Sequence, residues 1–156
     1  YKKLVMFYRD FIKQQDDFAE GMCEAILLEC SSEEAEMFKY ICNTFLATKV
    51  AFFNEIYEIC KASKIDYNNT VAMLDYDNRI GLGHTKVPGP DGQFGFSGKC
   101  FPKDLNALMF FAREKGIDPL VLETVWSKNL LVRDKHDWLD IPGASTDNMK
   151  FGNKDE

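Results

Sequence analysis

Residues 31–64 read SSEEAEMFKYICNTFLATKVAFFNEIYEICKASK, and this stretch contains neither proline nor glycine. Ser31 and Glu34 have the spacing of a capping box, and acidic residues favour the positive end of a helix. The stretch therefore predicts one helix over residues 32–64. At 1.5 Å per residue such a helix is on the order of 45–50 Å long.

The apolar residues of this predicted helix cover more than one of its faces. They are Met37, Phe38, Ile41, Phe45, Leu46, Val50, Phe52, Phe53, Ile56, Tyr57 and Ile59. A helix that is apolar nearly all round needs cover on all sides, and a chain of 156 residues has few segments to supply it. We therefore expect a homodimer formed through helix 32–64. The alternative is a helix buried inside a compact monomer.

The remaining elements are short and mostly helical. Apolar spacing predicts a helix over residues 1–16 and a strand over 25–29. Three further helices are predicted at 66–75, 102–115 and 119–136. Residues 81–98 hold six glycines and two prolines and predict a long functional loop. The expected fold class is mainly α.

Composition argues against several classes of protein. The net charge is −6, with both signs interspersed, whereas a nucleic-acid surface would need a basic stripe. No secretory signal and no run of 18 apolar residues is present, so we expect a cytoplasmic protein with no membrane partner. Five cysteines without CxxC spacing and two histidines favour neither a disulfide framework nor a metal site.

A second informative stretch is Gly95–Asp104, GFSGKCFPKD. Two glycines allow close approach of the backbone to a ligand, and Pro102 suits the first turn of a helix. Cys100 is thus predicted just before a helix N-terminus, where the partial positive charge stabilises a thiolate. This setting predicts a reactive cysteine. The alternative is a small buried apolar residue, which is the usual role of a lone cysteine.

Lys39 and Asn43 are four residues apart and share a face of the predicted long helix. They are either a solvated stripe or part of a site. A cysteine can add to an aldehyde, and an ammonium and an amide can stabilise the resulting alkoxide. Asp104 could then orient or deprotonate water for hydrolysis of a thioester. Together these groups suggest a route from an aldehyde to a carboxylate.

Three runs, residues 35–47, 77–81 and 95–104, resemble the UDP-glucose/GDP-mannose dehydrogenase family. The resemblance covers residues 1–134, and the loop 87–92 is similar to the UDP-glucose branch. It implies oxidation of a nucleotide-sugar primary alcohol to the uronic acid, with two hydride transfers to two NAD. A thiohemiacetal and a thioester on the cysteine would be the intermediates.

The resemblance also implies a domain organisation. Residues 1–30 would be the C-terminal end of a truncated NAD-binding Rossmann domain, as a helix–strand remnant. Residues 31–136 would form the central helical dimerisation domain that carries the cysteine, and residues 137–156 a linker or disordered tail.

The family's site residues carry over to matching positions of this sequence. Cys100 would be the nucleophile, Lys39 and Asn43 would hold the oxyanion and water, and Asp104 would support the hydrolytic water. Residues that would bind the sugar nucleotide are Arg79, which would reach into a partner subunit's site, and Gly95, Phe96 and Ser97. Residues that would lie near the nicotinamide are Phe101, Pro102 and Lys103. Ser97 departs from the pattern, since the family usually has glycine there, and this affects binding rather than chemistry.

The sequence contains no strand followed by GxGxxG and a helix, so NAD would be bound mainly by a missing domain and we expect the chain alone to be inactive. Three alternatives stay open. One is a dimerisation module whose site residues are vestigial. Another is an enzyme for GDP-mannose or a different nucleotide sugar. The third is a cysteine hydrolase with His84 or His136 as base.

Overall fold

A computed structural model describes residues 4–7, 27–77 and 79–144. The elements in chain order are strands β1 (Leu4–Phe7) and β2 (Leu27–Cys30), helices α1 (Ser32–Ala62), α2 (Tyr67–Ala72), α3 (Cys100–Glu114) and α4 (Leu120–Val132), and 3₁₀ turns at Met73–Tyr76 and Asp137–Leu139. The mainly α class with one long helix is confirmed. The chain divides into two compact units, Tyr1–Ile41 and Cys42–Glu156.

In the first unit β1 and β2 pair antiparallel, with Leu4 opposite Cys30 and Phe7 opposite Leu27. The strand predicted over 25–29 is confirmed at residues 27–29 and continues to Cys30. Residues 25 and 26 lie outside the described residues. The helix predicted over 1–16 is wrong at residues 4–7, which form β1. The physical reason is that a short apolar run satisfies helical and extended spacing alike, and here a neighbouring strand supplies the hydrogen bonds. The rest of that predicted helix lies outside the described residues.

Helix α1 spans 31 residues from Ser32 to Ala62, which confirms the prediction from the uninterrupted stretch. Its capping box is formed as expected. The Ser31 N–H donates to Glu34 Oε2 at 2.7 Å, and the Glu34 N–H donates to Ser31 Oγ at 3.1 Å. The chain leaves the helix at Lys64, whose positive φ of 57° is incompatible with continuing it.

The core of the second unit lies among α1, α3, α4 and the segment that follows α4. Helix α1 contributes two small residues, Ala47 and Ala51, both buried. The other buried members are Phe96, Leu105, Met109, Val125, Trp126, Trp138 and Ala144. Because alanine side chains are short, large side chains from the other helices can pack close to the axis of α1.

The segment after α4 is not a linker over residues 137–144, which corrects the predicted boundary at residue 136. Trp138 is 1% exposed and Ala144 is fully buried. The Trp138 ring lies 5.3 Å from that of Trp126, and the His136 ring stacks on it at 4.9 Å. A tryptophan buried in this way removes a large apolar area from water. This stabilises the packed segment more than hydration of the neighbouring polar residues would stabilise an exposed one. Residues 145–156, the rest of the predicted tail, lie outside the described residues.

The predicted helices at 102–115 and 119–136 are confirmed with changed ends. Helix α3 begins two residues early, at Cys100, and α4 begins at Leu120 after Pro119. Helix α4 ends at Val132, because Arg133 turns to an extended conformation with φ −97° and ψ 119°. The element predicted at 66–75 is α2 plus the 3₁₀ turn, with Asp66 capping through a bond from the Asn69 N–H at 2.9 Å.

A second apolar cluster anchors the loop 81–98, which contains no helix or strand in the structure. Its buried members are Phe53, Cys60, Tyr67 and Val87. The Tyr67 hydroxyl donates to the Thr85 carbonyl at 2.5 Å. Burial, with a contribution from Cys60, raises the pKa of Tyr67 to about 12, so the hydroxyl stays protonated and keeps this bond to the loop.

Within the described part of the chain, no helix combines the length and apolar character needed to cross a bilayer.

Candidate active site

Cys100 is the first residue of α3 and is exposed to solvent. Among the other described cysteines, Cys60 is buried, and Cys30 and Cys42 are half-buried. Asp104 lies one turn further along α3 on the same face, where side chains four residues apart are neighbours. The predicted cysteine at a helix N-terminus is therefore present and is the most accessible of the four described thiols.

Asn43 of α1 and Asp104 of α3 meet through their side chains. The Asn43 Nδ2 donates to Asp104 Oδ2 at 2.5 Å, although the two residues are 61 positions apart. The other carboxylate oxygen of Asp104 lies 2.9 Å from Lys103 Nζ. Asp104 itself is fully buried. Two residues that were predicted to share a site are thus in contact.

This contact decides the orientation of the Asn43 amide. A carboxylate only accepts hydrogen bonds, so the atom that faces it must be the NH₂ group. The amide oxygen of Asn43 consequently faces away from Asp104. The half-buried Asn43 side chain can therefore accept a hydrogen bond through its amide oxygen. Its carboxylate partner, Asp104, lies one turn of α3 from Cys100.

Lys39 is also among the residues predicted to act in the site. Lys39 belongs to the first unit, and its ammonium lies 5.5 Å from the centroid of the Tyr40 ring. Its role beside the thiol stays a prediction.

Arg79 has an exposed side chain that is held by Asp77, with Nη2 2.6 Å and Nε 2.9 Å from the carboxylate. This bidentate pair lowers the pKa of Asp77 and raises that of Arg79.

The segment Gly95–Phe96, predicted to line the substrate, is held by two buried amides. The Gly95 N–H donates to Asn54 Oδ1 at 3.0 Å, and the Phe96 N–H donates to Asn129 Oδ1 at 2.7 Å. Asn129 Nδ2 returns a bond to the Phe96 carbonyl at 3.1 Å. Gly95 has a φ of 70°, and a Cβ there would overlap Asn129 Oδ1. The chain itself therefore requires a glycine at position 95.

Ser97 is the start of a polar chain rather than a free hydroxyl. It donates to Asp137 Oδ1. The other oxygen of Asp137 lies 3.0 Å from Arg133 Nη2, which also lies 2.7 Å from Asp91 Oδ2. Partial burial opposes ionisation of the two carboxyls. The hydrogen bonds from Ser97 and Arg133 outweigh it and hold the pKa of Asp137 below its ordinary value, as those from Arg133 and the Gln93 backbone do for Asp91.

The three residues predicted near the nicotinamide differ in accessibility. Pro102 is buried, while Phe101 and Lys103 are half-buried. The Phe101 ring lies 6.1 Å from that of Phe96 and 5.8 Å from that of His84. The contact of these residues with a nicotinamide stays a prediction.

The two histidines considered as hydrolytic bases occupy structural positions. His84 has a positive φ of 64°, and burial, together with the nearby charge of Lys49, lowers its pKa. His136 stacks on Trp138 as part of the core edge.

Three polar residues that hold the loop were not predicted from the sequence. Asn54 and Asn129 lie inside apolar stretches of α1 and α4, and Arg133 is the residue that ends α4. Each is buried, at 2%, 0% and 3% exposure. The available signal was an isolated amide within an apolar helical run, because such a residue is retained only where it is hydrogen-bonded.

Comparison with known proteins assigns the chain to a family. Residues 33–130 match the model of the UDP-glucose/GDP-mannose dehydrogenase family, central domain. The chain belongs to this family. The match includes α1, α3 and most of α4, and so contains Asn43, Cys100 and Asp104 within the family's central domain.

Individual family members agree with this assignment. The chain is 37% identical over 105 residues to UDP-glucose 6-dehydrogenase TuaD of Bacillus subtilis (strain 168), which covers 67% of this chain and 22% of that protein. It is 37% identical over 112 residues to GDP-mannose 6-dehydrogenase of Azotobacter vinelandii, covering 70% and 25% respectively. The matches therefore span about a fifth to a quarter of the length of these relatives.

We predict that Gly95→Ala destabilises the fold more than the same change at Gly98. Both glycines have positive φ, but only the Gly95 Cβ meets neighbouring atoms. We expect a loss of about 2–4 kcal/mol for Gly95→Ala, against about 1–2 kcal/mol for Gly98→Ala from the backbone conformation alone. Urea unfolding of both variants measures the difference. Equal losses would show that Asn129 does not restrict position 95.

Proposed function

We propose that this chain is the central, cysteine-bearing segment of an NAD-dependent UDP-glucose 6-dehydrogenase, which oxidises UDP-glucose to UDP-glucuronate. The observation that supports this most is the contact between Asn43 and Asp104 one helical turn from the exposed Cys100. It joins two of the four residues to which the family resemblance gives a catalytic role, and Asp104 lies one turn of α3 from a third, Cys100. The names of the relatives support the substrate class.

In the first part of the proposed reaction the Cys100 thiolate attacks the aldehyde carbon of the substrate. A carbon–sulfur bond forms, and the electron pair of the C=O bond moves to oxygen as an alkoxide. Cys100 is the exposed first residue of α3, so its sulfur is accessible to the aldehyde carbon. A water held by the Asn43 amide oxygen would stabilise the alkoxide in the thiohemiacetal.

In the second part a thioester on Cys100 is hydrolysed. Water adds to the thioester carbon, the carbon–sulfur bond breaks, and the electron pair returns to sulfur as the thiolate. The released acid leaves as a carboxylate, and both protons of the added water pass to solvent. Asp104 is fully buried, so we assign it the task of orienting the Asn43 amide and Lys103 around this water rather than direct contact with bulk solvent.

Bound NAD would accept the two hydrides, one when the alcohol becomes the aldehyde and one when the thiohemiacetal becomes the thioester. Residues 4–7, 27–77 and 79–144 contain one antiparallel strand pair and no parallel strands joined by a glycine-rich turn and a helix. These residues do not fit the architecture that binds a dinucleotide. We therefore place its binding outside them, with Phe101, Pro102 and Lys103 as the residues nearest the nicotinamide.

The proposal includes a homodimer formed through α1. Three exposed apolar side chains, Phe45, Phe52 and Ile59, repeat every seven residues along α1, at 66%, 57% and 52% exposure. The buried residues Ala47 and Ala51 lie on a different face, since each residue advances the helix by about 100°. A heptad repeat of exposed apolar residues is the pattern of a helix seam between chains.

We expect Cys100 to react with iodoacetamide faster than the other cysteines at neutral pH, and UDP-glucose to slow this reaction. The thiol is exposed at a helix N-terminus, whereas Cys60 is buried. Peptide mass spectrometry after timed labelling gives the rate at each cysteine, with Cys100→Ser as control. GDP-mannose tests the alternative substrate. Equal rates at all five cysteines would favour the vestigial module.

We expect the chain alone to form no NADH from NAD and UDP-glucose, because no dinucleotide-binding architecture is found among its described residues. Absorbance at the NADH band during incubation measures this. A signal that depends on both compounds and is lost in Cys100→Ser would refute the expectation of inactivity.

We expect Phe45→Glu to convert the dimer to a monomer, since a charge at the centre of an apolar interface is costly to bury. Sedimentation velocity at one protein concentration measures the change. Tyr76→Glu, at a residue that is 92% exposed and lies outside α1, is the matched control and should leave the dimer intact. A monomeric unsubstituted chain would contradict the proposal.

A further inference from the structure

The segment from Asp91 to Ser97 is tied along its length to the end of α4 and the turn after it. This segment has no helix or strand of its own, so its backbone conformation depends on bonds to other parts of the chain. The residues that supply these bonds are Asn129, in the last turn of α4, and Arg133, which directly follows the helix.

The Asn129 side chain binds the peptide groups on both sides of Phe96. Its amide accepts the Phe96 N–H at 2.7 Å and donates to the Phe96 carbonyl at 3.1 Å. This is the pairing that a neighbouring β-strand would provide, but it comes from a fully buried side chain. Both the position and the rotation of Phe96 are thereby set.

Arg133 holds the two ends of the same segment. Its guanidinium lies 2.7 Å from Asp91 Oδ2 and 3.0 Å from Asp137 Oδ2, and it donates to the Phe94 carbonyl at 3.1 Å. Asp137 in turn accepts from the Ser97 hydroxyl. The Arg133 side chain is 1% exposed. Planar five-donor geometry allows one arginine to serve all these acceptors, which a lysine could not do.

We propose that Asn129 and Arg133 are positioning residues for the substrate-binding segment Gly95–Ser97. They act through the backbone and through Ser97, without touching the substrate. The inference rests on the proposed function, in which this segment lines the sugar nucleotide. We also infer that the Ser97 hydroxyl stabilises the fold. The serine that stands in place of the family's glycine donates a hydrogen bond to Asp137 and does not bind the substrate.

Cys100 belongs to α3, whereas the segment Gly95–Ser97 is held by residues at the end of α4. A change at those residues can therefore alter substrate binding without altering the reactivity of the thiol. In the full chain carrying Asn129→Ala, we expect the UDP-glucose concentration that halves Cys100 alkylation to rise about tenfold, since two hydrogen bonds that set the segment are lost. The alkylation rate without UDP-glucose should stay within about twofold, because the exposed thiol and its helix end are unchanged.

Lys128→Ala is the matched control. Lys128 precedes Asn129 on α4 and pairs with Glu58 of α1 at 2.5 Å, but it makes none of the bonds to the segment. We expect the half-protecting concentration to stay within about twofold of the unsubstituted chain for this variant. Thermal unfolding of each variant verifies that the assay is run on folded protein.

If Asn129→Ala does not fold, Asp137→Asn replaces it. Asp137 is 43% exposed at its side chain, so the change is tolerated better, yet it weakens the link between Ser97 and Arg133. We then expect about a threefold rise in the half-protecting concentration with an unchanged alkylation rate.

Three outcomes overturn the inference in distinguishable ways. Equal protection of the variant and the unsubstituted chain overturns the positioning role alone. A parallel change in protection and in the alkylation rate shows a general loss of structure, which also overturns it. No protection of the unsubstituted chain at up to about 10 mM UDP-glucose, well above the usual range of KM, overturns the proposed function and this inference with it.

Discussion

The packing of large side chains against the short side chains of Ala47 and Ala51 on α1 is the constraint on which the second unit depends. These two alanines are 0% and 4% exposed, and they let Leu105 of α3 and Trp126 of α4 approach the long helix. Close approach is what brings Asp104 of α3 within hydrogen-bonding distance of Asn43, one turn before Ala47 on α1. A longer side chain at either alanine would separate the helices and break that contact.

The loop that leads to the cysteine depends on a different kind of interaction. It satisfies only some of its own peptide groups, so buried amides and a guanidinium bond to others. Asn54 binds the Gly95 N–H, Asn129 binds Phe96 on both sides, and Arg133 binds the Phe94 carbonyl. Burying these polar groups is favourable only because each has its partners. The loop and the helices are therefore mutually dependent.

Local signals allowed much of the helical structure to be anticipated. The capping box at Ser31 and the absence of proline and glycine were sufficient for α1. The glycines before Cys100 indicated the loop, whereas α3 begins at Cys100, two residues before its predicted start. Local signals failed at Leu4–Phe7, where a short apolar run was taken for a helix but pairs with β2. They failed again at Trp138, because a polar neighbourhood in sequence hid a residue that the core buries.

The order of residues along the chain was enough to predict the long helix, the mainly helical class, a cysteine beside a helix start and the family. Each of these depends on neighbours within a few positions or on a run of matching residues. The exposure of that cysteine was decided by the tertiary structure. Which distant groups meet was decided by packing. Asn43 and Asp104 are 61 positions apart, and Asn129 and Phe96 are 33 apart. No local preference encodes such pairs, because they exist only after burial of apolar surface has brought the helices and the loop together.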